Sequence, residues 1–286
     1  MCRAAAAFIS LPLALSFVAP ARQAVAQSVD TISVNSTGRL FTRGDLLLGL
    51  AFAGLTIAMK PVDERAAKSL QRDPIQNRAL LKNSATAFRL LGNPGSPLTA
   101  AALYAVGRVA HQRRVADFGL HITESIMMST VITDLVKGAA GRARPRVFVD
   151  TAGAAPFDPN PNDFEFARGF RKKGEYQSFP SGHTSAAFAF ASAMVSEISK
   201  WKPGAVWYAG PIFYGGATLV GASRMYNNAH WASDVALGAA IGTFSGLKVV
   251  RFNHHHAGNR LDRALLSARL TPGDGSGIQL GWSILP

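Results

Sequence analysis

The sequence all but lacks cysteine: Cys2 is the only one among 286 residues. No intramolecular disulfide can form. Charge is also scarce, at 16% of residues, and acidic charge scarcest, with 17 Asp and Glu against 30 Lys and Arg. Hydrophobic residues make up 48%. That balance excludes a disordered chain, a collagen and a coiled coil, and the length suits one large domain or two small ones. A formal charge of +13 points to an anionic partner: nucleic acid, an acidic membrane surface or a phosphorylated substrate. A long clean apolar run is missing too. Segment 46–59 is 14 residues, and segment 203–223, though uncharged, holds two prolines and five glycines.

Residues 1–26 read as a secretory signal. Arg3 forms a positive start, an apolar run extends from Ala4 to Ala19, and Ala24-Val25-Ala26 offers an A-x-A cleavage site. The competing reading is an uncleaved anchor, for which the apolar run falls short of the ~20 residues a span needs. Cleavage leaves 260 residues without cysteine and, by removing Arg3 and Arg22, a charge of +11. A periplasmic or secreted location follows, with membrane attachment left open. Residues 27–44 form a polar arm.

The remainder reads as all-α, a bundle of about six helices over 45–250. The spans are 45–59, 98–113, 117–137, 182–199, 204–222 and 232–250. The third shows the clearest period, with Leu120, Met127, Val131 and Leu135 at three- to four-residue steps. The sixth carries Gly238, Gly242 and Gly246 four apart, a spacing that lets another helix approach closely. Segment 60–97 is charged and holds the turn signal Asn93-Pro94-Gly95. Residues 251–286 form a basic tail. Within it Ile278, Leu280, Trp282 and Ile284 alternate with Gln279, Gly281 and Ser283 as a short strand. A mean hydropathy of +0.12 is low for a six-span protein. After a cleaved signal, two spans would also leave Arg113 and Arg114 on the wrong side for the positive-inside rule. The balance favours a soluble or peripherally attached domain.

Three stretches hold the chemistry-bearing residues. Lys137-Gly-Ala-Ala-Gly-Arg142-Ala-Arg144-Pro145 ends the third helix. Pro180-Ser181-Gly182-His183 opens the fourth. Ser223-Arg224 and His230-Trp-Ala-Ser-Asp234 stand between the fifth and sixth. Ser181 suits an N-cap, and a bare helix start with free N–H groups is an anion site. His230 and Asp234 are four apart, so the carboxylate can take the Nδ1 proton and leave Nε2 as a free base or nucleophile. Arg144 and Arg224 supply planar forks and Lys137 a point charge. Together these are what binding and transferring a tetrahedral phosphate requires. Taken singly, each has a plainer reading: a solvated helix end for Lys137 and Arg144, a simple cap for Ser181-Gly182-His183, a structural pair for His230 and Asp234.

In its order and spacing, K-x6-R-P, then P-S-G-H, then S-R-x5-H-x3-D, the sequence resembles the type 2 phosphatidic acid phosphatase superfamily over about 137–250. Bacterial acid phosphatases, lipid and undecaprenyl pyrophosphate phosphatases, glucose-6-phosphatase and vanadium haloperoxidases belong to that group. Every signature position is matched. The resemblance implies an α-helical bundle and hydrolysis without metal or other cofactor. It implies that His230 attacks phosphorus to form a phosphohistidine, that Asp234 orients it, and that His183 protonates the leaving alcohol and then activates water. Lys137, Arg144, Ser181, Gly182 and Arg224 would hold the phosphoryl oxygens. Pro145, Pro180 and Ser223 read as scaffold. The implied substrate is a phosphorylated small molecule or a lipid phosphate or pyrophosphate; nucleic acid is not expected. Two other readings compete: a vanadate-dependent haloperoxidase using the same anion pocket, and a non-enzymatic basic protein binding anionic lipid or nucleic acid.

Segment 146–179 is rich in Phe and Pro and reads either as a lid or as a hydrophobic cluster that packs the loop down. His254-His255-His256 reads as part of the solvated tail rather than a metal site. His111 and His121 lie outside the motifs, as structural or exposed residues.

Overall fold

The computed structural model describes residues 43–149 and 156–256, together with the backbone of 268–272 and 278–282. The expected signal and nearly all of the expected arm lie outside the described residues. Residues 1–48 and 49–286 form two units. Of the first, only its last six residues are described, and they are helical.

The elements in order are α1 (Arg43–Leu70), α2 (Asp73–Gln76), α3 (Ala79–Leu90), α4 (Ser96–Val109), α5 (Arg113–Ala140), α6 (Arg168–Arg171), α7 (Gly182–Trp201), α8 (Val206–Tyr226) and α9 (Ala232–His255). The strands β1 (Ala268–Pro272) and β2 (Ile278–Trp282) follow. They pair antiparallel, Leu270 opposite Leu280, so the alternation read near the C-terminus is a strand of a hairpin. α7 is the hub, packing on α9, α8 and α5. α9 also lies on α5, α4 pairs with α5, and α3 with α8.

The first helix differs most from the reading of the sequence. It is 28 residues long, with Pro61 inside it, and not a stub ending at 59. The charged stretch past Met59 stays helical because Asp63, fully buried, is bonded to Ser233 and Arg142 and holds that turn in place. Helix α3 falls where the sequence showed turns and charge. Between α3 and α4 the chain kinks at Asn93, which leaves helical geometry at φ −154° and ψ 123°.

The interior is small. Its main cluster is Ala100, Ala186, Ala189 and Ala193 with Ile122, Ile126 and Val250. Buried Ser125, Ser129 and Thr133 line the same face of α5. The large apolar residues point the other way. Of the four residues that revealed the α5 period Leu120 is buried, while Met127, Val131 and Leu135 are at least 60% exposed, as are Trp207, Tyr208 and Ile212 on α8. Along α1, Leu50, Leu55 and Ile57 are exposed as well.

Small residues let α9 lie almost backbone to backbone on α7. A β-carbon at Gly238 would run into the Ser181 carbonyl, at Gly242 the Ser185 carbonyl, and at Gly246 the Ser192 β-carbon. Neither helix can yield locally, since the obstacle at two of the three is main chain. Gly242→Ala should therefore cost about 1–3 kcal/mol through overpacking. Gly215→Ala, in open space on α8, should be neutral or mildly stabilising because alanine favours helix. Thermal unfolding of the two variants side by side checks this; equal melting temperatures would contradict the close approach.

Candidate active site

Helix ends build the site. α5 stops at Gly141, whose left-handed φ of 55° lets its N–H cap Lys137 O and turns the chain back toward the bundle. Any side chain there would meet the Glu165 carbonyl. Lys137 on the last turn of α5, Arg144 just past it, Gly182 and His183 opening α7, and His230 just before α9 line one pocket, with Asn93 and Thr130 on its walls. Lys137 lies so close to Gly182 that an added β-carbon would stand 2.7 Å from its Nζ. Arg144 is fixed by main-chain carbonyls: Nε donates to Gly174 O at 2.8 Å, and its terminal nitrogens to Ala229 O and Gln177 O.

His230 precedes α9 rather than riding on it, because the helix begins at Ala232 with Trp231 as its N-cap. Its Nδ1 lies 2.7 Å from Ser178 O and 3.5 Å from Asp234 Oδ2. The carbonyl is thus the acceptor of the Nδ1 proton, and the carboxylate acts on the ring from farther away. This differs from the reading in which Asp234 takes that proton directly. Asp234 is occupied elsewhere. It accepts from Trp231 N–H, from the Ser178 hydroxyl and from Arg142, and its own carbonyl accepts Ser181 N–H. It therefore ties the start of α9 to the start of α7 and indirectly sets the carbonyl that orients His230.

Burial, reinforced by Arg144 and Arg224, pushes the His230 imidazole down to about 3 against the opposing pull of Asp234. The ring is then neutral, with its proton on Nδ1 and the Nε2 lone pair free, over the whole ordinary pH range. In ¹⁵N-labelled protein, the His230 ring should keep the neutral Nδ1–H signature at pH 5, where an ordinary histidine of pKa ≈ 6.5 is charged. An imidazolium signal from His230 at pH 5 would contradict this environment.

Not every expected phosphate ligand reaches the pocket. The Ser181 N–H is taken by Asp234 O, and its hydroxyl accepts from Thr184 at 2.8 Å rather than capping α7. Of the two backbone donors expected at the helix start, Ser181 is thus already used. Arg224 does not line the pocket. Its Nε is buried and has no hydrogen-bond partner among the described residues. A buried guanidinium nitrogen of this kind suits an oxyanion.

Two residues were given no role by the reading of the sequence. Arg142 is fully buried and binds Asp234 Oδ1 at 2.5 Å, Asp63 Oδ2 at 2.8 Å, Ser233 Oγ at 2.8 Å and Pro161 O at 2.6 Å. Its guanidinium carbon sits 4.8 Å from the Phe164 ring centroid and 5.1 Å from that of Trp231. Asp63 completes the network by accepting from the Ser233 N–H and hydroxyl. Arg142 did stand in the sequence between Gly141 and Arg144. Asp63 gave no signal there. The described part of the 146–179 loop supplies Pro161 and Phe164 to this network, and Phe164 meets Phe179 edge-on at 5.7 Å, while Phe166 and Phe170 stay exposed.

Residues 118–256 match the PAP2 superfamily. They belong to that superfamily. The match takes in all three motif stretches and leaves Asp63 outside. Relatives of the PAP2 segment include a lipid A 1-phosphatase of Rhizobium etli, 29% identical over 133 residues, which are 46% of this chain and 49% of that one. A probable lipid phosphate phosphatase 4 of Arabidopsis thaliana is 34% identical over 148 residues, 48% of this chain and 46% of that one. The chain spans about half the length of both. Among solved structures, a transmembrane PAP2 type phosphatidylglycerolphosphate phosphatase from Bacillus subtilis aligns over 76% of this chain and 98% of its own. Its TM-score is 0.50 and its identity 21%, a likeness of fold.

Proposed function

We propose that this PAP2 protein is a lipid phosphate phosphatase that works through a phosphohistidine on His230. The observation that carries the proposal is the pinned ring. With Nδ1 held at 2.7 Å by Ser178 O, the nitrogen left to the pocket is Nε2, beside Lys137, Arg144, Gly182 and His183. The Nε2 lone pair attacks phosphorus and the bond from phosphorus to the lipid oxygen breaks. His183, which burial and then Arg224 push down to about 3, takes up a proton with the incoming phosphate, whose negative charge offsets the surrounding cations, and gives it to that oxygen. His183 then takes a proton from water, the hydroxide attacks phosphorus, and the P–N bond breaks to release phosphate and free His230. Lys137 and Arg144 offset the charge on the phosphoryl oxygens from the pocket wall, and Arg224, near enough to lower His183 and His230, adds its charge from outside that lining.

Three cationic side chains already supply the positive charge that a dication would bring, and a metal ion among them would be repelled. The lipid class rests on the relatives and on the exterior. Two helices, α1 and α9, are long and apolar enough to cross a membrane, and no residue in the apolar window of α1 is buried among the described residues. With alanine, serine and glycine inside and large apolar residues outside, the bundle has the small-residue packing that suits a lipid surrounding. We therefore read the protein as membrane-embedded rather than soluble. Hydrolysis of p-nitrophenyl phosphate, phosphatidic acid, lipid A and undecaprenyl pyrophosphate, each with EDTA present, tests the proposal. Activity should survive chelation, favour the lipids and be inhibited by vanadate. Loss on chelation restored by magnesium or zinc, or no hydrolysis of any of the four, would overturn it.

A further inference from the structure

At the end of the bundle away from the pocket, three helices bring together residues that the chemistry does not use. His121 lies 16 residues before Lys137 on α5, and Glu197 lies 14 residues after His183 on α7. At 1.5 Å per residue these are separations of about 24 and 21 Å. His254 closes the group from the last turn of α9. Glu197 and His121 are buried, and His254 is 36% exposed.

His121 Nδ1 is 2.5 Å from Glu197 Oε1, and His254 Nε2 is 2.9 Å from Glu197 Oε2. One ligand atom from each residue lies within 4.8 Å of the others. The two imidazole rings meet edge to face at 5.7 Å. Beside them Asn253 Nδ2 donates to Glu124 Oε2 at 2.6 Å, fixing the last turn of α9 against α5. His254 is therefore not part of a solvated tail; α9 continues to His255 and aims it inward.

We propose that His121, Glu197 and His254 form a structural site for a divalent transition-metal ion of the zinc, cobalt or nickel kind. Two imidazoles and one carboxylate are the donor set these ions take, whereas magnesium and calcium want oxygen throughout. Metal–ligand bonds of about 2.0–2.2 Å place tetrahedral ligands about 3.4 Å apart. The two contacts to Glu197 need to open by less than about 1 Å and the two imidazole nitrogens to close by at most about 1.5 Å. Each imidazole offers its lone pair from the other tautomer, so a neutral ring binds without net loss of a proton. The exposed edge of His254 gives the ion its way in and leaves the fourth position to water. An ion there joins α5, α7 and α9 at the end opposite the catalytic residues.

The test uses the full-length protein purified in detergent and stripped with EDTA. Titration with Co²⁺, followed by its visible absorption, and with Zn²⁺ by calorimetry should give one ion per chain and a raised melting temperature. His254→Ala and Glu197→Gln should weaken binding at least about tenfold, the lower end of the loss seen when even an outer-shell partner of a metal ligand is removed. His254→Ala, at a half-exposed position, leaves the buried interior unchanged and keeps the test open if Glu197→Gln folds poorly. The double variant His255→Ala/His256→Ala should bind as well as the parent. Absence of saturable binding, unchanged affinity in His254→Ala, or loss of binding in the double variant would each overturn the proposal, the last by placing the ion on the exposed histidine run.

Discussion

Replacing His230 with alanine is expected to remove turnover while the bundle still folds. The loss should be about 10³-fold or more, since deleting a nucleophile removes the covalent route entirely and leaves only binding and charge stabilisation. The pocket keeps Lys137, Arg144 and His183 in this variant, so vanadate or phosphate should still bind. That separation is the informative part: binding retained and chemistry lost. His230→Asn offers a second reading, because its side-chain amide can still donate toward Ser178 O. If position alone were the role of residue 230, His230→Asn would recover activity; a nucleophile cannot be replaced this way. Rapid quenching with ³²P-labelled substrate should trap an acid-labile phosphoprotein in the parent and none in either variant. Substantial turnover in a folded His230→Ala protein would remove His230 from the mechanism.

The three motif stretches were legible in the sequence because their signal is carried by residue type and order. Lys137, Arg144, Gly182, His183 and His230 could be named before any geometry, and the fold gathers them in one pocket. The helices were legible wherever apolar residues recur with helical period. What the period cannot say is what lies against the stripe. In α5 the stripe of Met127, Val131 and Leu135 faces outward, while Ser125, Ser129 and Thr133 face in. In water such an arrangement would be costly; in lipid the apolar face loses nothing by exposure. The preference for a soluble or peripherally attached domain rested on a low mean hydropathy, on the prolines and glycines of 203–223, on a first helix cut off at residue 59, and on counting spans from it. The charge of segment 60–97 suggested an end, yet the helix continues because Asp63 finds partners 79 and 170 residues away. A single chain carries no mark of so distant a pairing. His254 was misjudged for the same reason, its partner Glu197 being 57 residues off.

Arg142→Ala is expected to be the most destabilising substitution near the site, by about 3–5 kcal/mol. Its guanidinium lies between the carboxylates of Asp63 and Asp234, and all three side chains are fully buried. Removing it leaves two buried carboxylates facing each other and strips a hydrogen bond from Ser233 and from Pro161. Against a typical net stability of 5–15 kcal/mol, that loss is enough to unfold part of the population. Arg142→Lys should be milder but not neutral, because one ammonium cannot reproduce the fork that reaches both acids. Since Asp234 anchors Ser181 N–H and Trp231 N–H around His230, turnover should fall in Arg142→Lys even where the protein folds. A double-mutant cycle separates charge burial from lost packing. In an Asp63→Asn background one of the facing acids is already neutral, so the added cost of Arg142→Ala should be smaller by about 1–3 kcal/mol. Denaturant unfolding of the four proteins reads that coupling directly. Strict additivity would mean that Arg142 acts through packing against Phe164 and Trp231, and that the Asp63–Arg142–Asp234 bridge does not hold the catalytic end together.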